Sequence, residues 1–305
     1  MTAGPGFRPQ LGSALAPLRE RYAHWLALSS EDVERDREEV AADIRAMQLV
    51  LRMERQDPPS WHRAMQAAVT GAASICLDPR SQPGGEWFDA VLEYCVGHIR
   101  KVTRRARGAH WVAAQDLPGV TVEVAGTQVR VLLPGLVSEL DPRISRLQVG
   151  GTDVPVDPEP DAVREPDAVR EPDAMREPDA MREPEPGREP DSGPDSVAGP
   201  DGVLRVWTPT EPVMTLGKAM AQAGHAGMIA AALLADADQP ALRRWAQDGC
   251  PAVVRRSAPD QWAALLDAVS DERRGWAGER LLAVRDAGFT EIAAGTVTAV
   301  ATAPR

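Results

Sequence analysis

The sequence predicts an α/β protein assembled from two related units in tandem. Three observations carry this reading. Short apolar runs alternate with stretches of helical period, first over 48–133 and again over 203–302. The pattern V-x-R-R-x5-W occurs twice, as Val102 to Trp111 and as Val253 to Trp262, at a constant spacing of 151 residues. Between the two blocks lies a segment of another texture, with four copies of E-P-D-A-[VM]-R over 159–182.

The elements follow in order. Residues 13–28 and 31–47 predict two helices. Leu15, Leu18, Tyr22, Trp25 and Leu26 recur at helical spacing in the first. Ser29 or Ser30 caps the second, with Glu31, Asp32 and Glu34 at its positive end. A strand is expected at 48–53, an Ala-rich helix at 61–76, a helix at 87–96 and a strand at 98–105. A short helix at 108–116 and a strand pair over 120–133, turning at Ala125-Gly126, complete the first block. The second block repeats the order. It has a strand at 203–207, a long Ala-rich helix at 215–235 capped by Thr215, a helix at 240–247 and a strand at 251–256. A helix at 257–270 and strands at 281–284 and 296–302 close the chain. Val50-Leu51-Arg52 aligns with Val203-Leu204-Arg205, Ala64-Met65 with Ala219-Met220, and Tyr94 with Trp245. The expected organisation is N-terminal helices over 1–47, an α/β domain over 48–152, a linker over 153–200 and a second α/β domain over 201–305.

Proline recurs every six residues or sooner in the linker, and large apolar side chains are nearly absent there, so an extended, disordered tether is expected. It also holds the charge. The 305-residue chain has 34 Lys+Arg against 45 Asp+Glu, a net charge of −11, and 153–200 supply ten of those negative charges. The remainder is close to neutral, which removes the objection that overall acidity raises against a nucleic-acid partner. No apolar run is long enough to span a membrane, and the N-terminus lacks the pattern of a signal peptide. Three widely spaced cysteines, Cys76, Cys95 and Cys250, fit reduced thiols and a cytoplasmic location better than a disulfide frame or a zinc site. No metal or cofactor motif is present. Of the 34 basic residues only Lys101 and Lys218 are lysines. An Arg-rich codon usage explains the bias; a lysine that persists is a candidate for a role needing a compact ammonium or a shiftable pKa.

Two stretches of the second block carry chemistry. Lys218, Gln222 and His225 in the first are spaced i, i+4, i+7 and fall along one helix face, with Gly217 before the lysine. The lysine sits near a helix N-terminus, where N–H groups attract anions. A phosphate-binding Walker loop is excluded, since Pro212 and Ala219 stand where Gly and Ser/Thr are required. In the second stretch Asp286, followed by Gly288, Thr290, Gly295 and Thr298, lies at the C-terminal end of a strand, where α/β proteins place their sites. The bland alternatives are a satisfied His225, a surface Gln222, a solvated Lys218, a turn-forming Asp286 and strand-edge threonines at 290 and 298.

Together, Met214 with Gly217-Lys218-x-x-Ala221-Gln222-x-x-His225-Ala226 and Asp286-Ala-Gly-x-Thr290-x-Ile-x-x-Gly295-Thr296-x-Thr298 resemble the type 2 peptidyl-tRNA hydrolase (Pth2) family over about 201–304. The resemblance implies a three-layer α/β domain with a mixed four-stranded sheet. It implies a carboxylic-ester hydrolase that cleaves peptide from tRNA with activated water and no cofactor. It implies Lys218, Gln222, Asp286, Thr290 and Thr298 as catalytic residues, with His225 and Gly217 beside them for substrate. Three positions depart from the family's pattern. The Arg expected before Met214 is missing, Phe289 replaces a frequent basic residue, and Ala294 replaces a frequent proline. These losses bear on substrate affinity more than on chemistry.

The first block reads as a degenerate copy. Arg63 aligns with Lys218, Thr70 with His225 and Val124 with Asp286, and nothing corresponds to 289–295. It holds the densest positive run, with Arg100, Lys101, Arg104, Arg105 and Arg107 flanked by His98 and His110. That run is either a solvated face or a clamp for the tRNA backbone. The two copies are expected to pair as an internal pseudo-dimer. The competing functions are a non-catalytic tRNA- or ribosome-binding protein on the same scaffold, and an interaction scaffold acting through the hexapeptide tract.

Overall fold

The computed structural model describes residues 10–36, 39–157, 202–270, 275–290 and 292–305. The hexapeptide repeats lie outside the described residues. After helices α1 (Ala16–Ala27) and α2 (Ser30–Arg35), the first half runs β1 (Arg45–Arg52), α3 (Trp61–Leu77), α4 (Phe88–Val96), β2 (Lys101–Ala106), α5 (Gly108–Gln115), β3 (Gly119–Val124), β4 (Thr127–Leu132), β5 (Gly135–Leu136) and α6 (Pro142–Ser145). The second half runs β6 (Leu204–Pro209), α7 (Leu216–Ala237), α8 (Gln239–Gln247), β7 (Ala252–Ser257), α9 (Pro259–Ser270), β8 (Leu281–Arg285) and β9 (Val297–Thr302).

The two sheets share one topology. The first has the order β2-β1-β4-β3, with β5 added against β1, and the second has the order β7-β6-β9-β8. In each, the first two strands are parallel and the other pairings antiparallel. The protein is therefore α/β with two mixed sheets in a repeated arrangement. Pairing register tests the sequence alignment residue by residue. Met47 faces Lys101 as Leu204 faces Ala252, so Val50 corresponds to Trp207 and the match of Val50–Arg52 to Val203–Arg205 is displaced by four residues. By contrast, Gly119 faces Leu132 as Leu281 faces Thr302, which puts Val124 at the position of Asp286.

The helix expected over 31–47 ends at Arg35, and β1 begins at Arg45. β1 is flanked by strands on both sides and is buried from Ala46 to Leu51, so it lacks the in-out alternation that marks a half-exposed strand. The central layer is formed by α3 and α7, which pack on each other. Each lies on its own sheet and on the parallel edge strand of the other half, α3 on β7 and α7 on β2. Small side chains allow the close crossing: a Cβ added at Gly227 would come within 2.6 Å of the Val69 carbonyl oxygen. One apolar core runs through both halves, joining Met47, Leu49 and Leu51 with Leu204, Val206 and Leu282. Smaller clusters lie on the outer faces, around Trp111 and Ile144 in the first half and around Trp207 and Leu265 in the second. Each half thus has an outer helix, a sheet and an inner helical layer.

Residues 153–157, read from sequence as the start of the linker, run along the packed body. Asp153 Oδ1 accepts from Leu216 N at 3.1 Å, and Asp157 Oδ1 accepts from His62 N at 3.2 Å. Each carboxylate meets the first turn of a central helix, where unpaired N–H groups and the helix dipole favour negative charge. No helix among the described residues is long and apolar enough to cross a membrane.

Candidate active site

The second half positions its polar residues by local rules. Thr215 caps α7, its hydroxyl accepting from Lys218 N at 3.4 Å, and this starts the helix so that Lys218 falls on the first turn. Gln222 follows one turn later on the same face. Asp286 directly follows β8, where the chain leaves the sheet for the loop to β9. The loop closes on itself: Asp286 N donates to Thr296 O at 2.8 Å, and Gly295 N donates to Asp286 O at 2.7 Å. Asp286 Oδ1 accepts from Gly288 N at 2.8 Å. Gly288 has φ of 75°, and a Cβ there would meet that of Ala294 at 2.8 Å, so a side chain at 288 would open the loop that orients the carboxylate.

Asp286 is 3% exposed and gathers the helix residues onto its other oxygen. Oδ2 accepts from Gln222 Nε2 at 2.6 Å and forms an ion pair with Lys218 Nζ. Three donors thus fix the plane of one buried carboxylate. With Nε2 committed, Gln222 Oε1 is buried and has no partner among the described residues. Thr298 is fully buried, and its hydroxyl donates to Val284 O at 3.2 Å, two residues before Asp286. It braces the strand end that carries the aspartate.

A cavity of about 440 Å³ lies over this cluster. Gly217, Lys218, Gln222, His225, Asp286 and Thr290 line it, and Thr298 does not. The remaining walls come from elsewhere in the chain: α1 through Leu18, Arg21, Tyr22 and Trp25, and the first half through 97–103 and 149–153. The Tyr22 hydroxyl donates to Ala283 O at 3.0 Å and accepts from Ala283 N at 2.9 Å, which satisfies both backbone groups on the outer edge of β8. The Arg285 guanidinium reaches back to the carbonyls of Trp25, Leu26 and Leu28 at the end of α1, at 2.9, 3.2 and 2.9 Å. Sequence periodicity identified α1 but not this duty, because the alternation of Leu18, Tyr22 and Trp25 is that of any amphipathic helix.

The positive run of the first half does not form one strip. Arg100 pairs with Glu39, and its guanidinium lies 4.3 Å from the centroid of the Phe289 ring, on the cavity wall. Lys101 also turns into the cavity, with Nζ 3.1 Å from His225 Nδ1. Arg104 is tied inward, Nε to Gln48 Oε1 and Nη1 to Leu147 O, both at 2.8 Å. Arg105 hydrogen-bonds Gln148 at the surface, and Arg107 is exposed. Burial pushes the Lys101 ammonium down to about 7, with the thiols of Cys76 and Cys95 opposing. His225 is held well below the usual imidazole range by burial first, then by Lys101 and Lys218. It is therefore neutral at physiological pH. Among the described residues no three His, Cys, Asp or Glu side chains converge as metal ligands would.

Residues 210–305 match the family model of peptidyl-tRNA hydrolase PTH2, a stretch that contains Lys218, Gln222, His225 and Asp286. Comparison with curated proteins and with solved structures gave no match. The half of the molecule that holds the Lys218–Asp286 ion pair at the base of the cavity is thus the half that matches the family model of peptidyl-tRNA hydrolase PTH2.

Proposed function

We propose that this chain hydrolyses the ester joining a peptide, or an N-blocked amino acid, to tRNA. The observation that carries the reading is the buried Asp286 carboxylate drawing Lys218 and Gln222 together on a cavity wall, inside the segment that matches the family. Ester hydrolysis needs a held water and a stabilised oxyanion. The free Gln222 Oε1 is an acceptor able to orient the water, and Asp286 fixes the amide that presents it. Lys218 supplies the positive charge for the oxyanion, and Asp286 aims it. Thr290, on the rim, offers a hydroxyl to the leaving ribose. Among the described residues this cluster holds no serine or cysteine nucleophile, so water attacks directly.

The first half acts as a degenerate copy paired with the catalytic half, the two halves forming an internal pseudo-dimer whose linker is a tether. Reduced thiols are consistent with a cytoplasmic enzyme: Cys76, Cys95 and Cys250 are buried and unbridged. The clamp for the tRNA backbone narrows to Arg105 and Arg107, since Arg104 holds internal partners. Charge reversal at both should weaken tRNA binding and reduce its salt slope by about one to two; binding unchanged at every salt concentration rejects the clamp.

The test is single-turnover hydrolysis of peptidyl-tRNA. Asp286→Ala should lower the rate by roughly 10²-fold or more. A parental rate in Asp286→Ala rejects the site, and a parent protein that binds tRNA without turnover supports a binding protein on the same scaffold.

A further inference from the structure

The chain has 32 arginines and two lysines, and both lysines line one cavity, each contributed by a different half. Lys218 has its carboxylate. Lys101 has none among the described residues: its Nζ is surrounded by His225 Nδ1 at 3.1 Å, Met228 Sδ at 3.1 Å, Ile99 O at 3.4 Å and the Tyr94 hydroxyl at 3.5 Å. The titratable groups facing it are neutral at physiological pH. Tyr94 and Cys95 on α4 and Cys76 on α3 are all pushed upward by burial, and His225 on α7 is pushed downward. An ammonium among neutral groups in a mostly apolar cavity lacks its counter-ion. An arginine, always charged and with a wide fork, could not occupy this pocket in a neutral form.

The geometry points to Lys101 as the anion anchor of the cavity: its ammonium takes a phosphate oxygen of the ligand, while the ester lies at Lys218 and Asp286. This places one end of the substrate on the degenerate half and the reacting end on the catalytic half, with His225 between them. It explains why the first half keeps a lysine on β2 although it has lost the residues of the reaction. His225 accepts from the ammonium at Nδ1 and keeps it aimed into the cavity. The inference rests on the cavity being the substrate site, and its binding test requires no turnover.

The full chain is labelled with ¹³Cε-lysine, which gives two side-chain signals, assigned with Lys101→Arg. In the free protein the Lys101 signal should titrate near 7. Adenosine 5′-monophosphate supplies the phosphate probe, with adenosine as the uncharged control. Adenosine 5′-monophosphate should raise the midpoint by about one pH unit or more, and should bind Lys101→Met at least about tenfold more weakly than the parent. A Lys101 signal that ignores adenosine 5′-monophosphate, or Lys101→Met binding it like the parent, overturns the proposal. A protein whose Lys101 responds but which never cleaves peptidyl-tRNA overturns the hydrolase reading alone.

Discussion

The first turns of α3 and α7 are equivalent places with opposite outcomes. Ser60 and Thr215 cap the two helices in the same way, accepting from the N–H three residues on. Three residues beyond the cap stand Arg63 in one half and Lys218 in the other. Arg63 is half-buried and donates to Ala125 O at 3.0 Å, whereas Lys218 pairs with a buried aspartate. The difference originates in the hairpin. β3 and β4 are joined by Ala125-Gly126 alone, with φ of 43° and 86°, a two-residue turn that matches strand twist and leaves no chain to hold a carboxylate. β8 and β9 are joined by residues 286–296, enough chain to fold Asp286 back on Gly288. The length of one loop therefore decides which half can fold a carboxylate over its first helical turn.

Substitution at the paired positions breaks this comparison most sharply. Lys218→Ala should reduce peptidyl-tRNA hydrolysis by roughly 10²-fold or more, whereas Arg63→Ala should change it by less than about twofold. Equal losses at both positions, measured as single-turnover rates, would mean that the first half is not degenerate.

A second contrast lies at the sheet edges. β3 is an open edge, protected by exposed Thr121 and Glu123, whereas β8 is buried and covered by α1 through Tyr22. Tyr22→Phe leaves Ala283 N and O without that partner and should cost about 1–3 kcal/mol in urea unfolding. Thr121→Val on the open edge should cost less than about 0.5 kcal/mol. A silent Tyr22→Phe would show that the N-terminal helix does not hold the second sheet.

The smallest effect concerns Lys101 and is read as pH dependence. Lys101 titrates at about 7 in the fold against 10.5 as its ordinary value. Between these values the unfolded chain binds a proton that the folded chain does not, so the parent gains stability as pH rises. Lys101→Met lacks this gain. Its thermal advantage over the parent should be greatest at pH 7 and should shrink toward pH 9, where thiol ionisation affects both proteins alike. A constant difference in Tm across that range would mean that the Lys101 amine is not desolvated.

Much of the fold was legible because it is local. Thr215 and Ser60 are caps by chemistry, Ala125-Gly126 is a turn by its residue types, and the repeat of V-x-R-R-x5-W falls on the parallel strands β2 and β7 and the helices after them. β1 was misplaced at its start because a strand buried on both faces has no alternation to read. In the site, Lys218, Gln222 and Asp286 were legible as a motif, and they meet. Thr298 was read from the same motif, and its hydroxyl faces the β8 backbone. A side chain's partner depends on register and on the loop above it, and neither has a period in the sequence.

The sequence by itself determined the two α/β blocks, the acidic repeat between them and the motif that holds Lys218, Gln222 and Asp286, since composition, capping and periodicity act over a few neighbouring residues. Tertiary structure decided what closes over those residues: α1 against the edge of β8, the 149–153 segment along the cavity, and Lys101 of one half beside His225 of the other. The first and last of these contacts join positions 261 and 124 residues apart. They arise because the small side chains of α3 and α7 let two sheets share one core, a condition that no local pattern encodes.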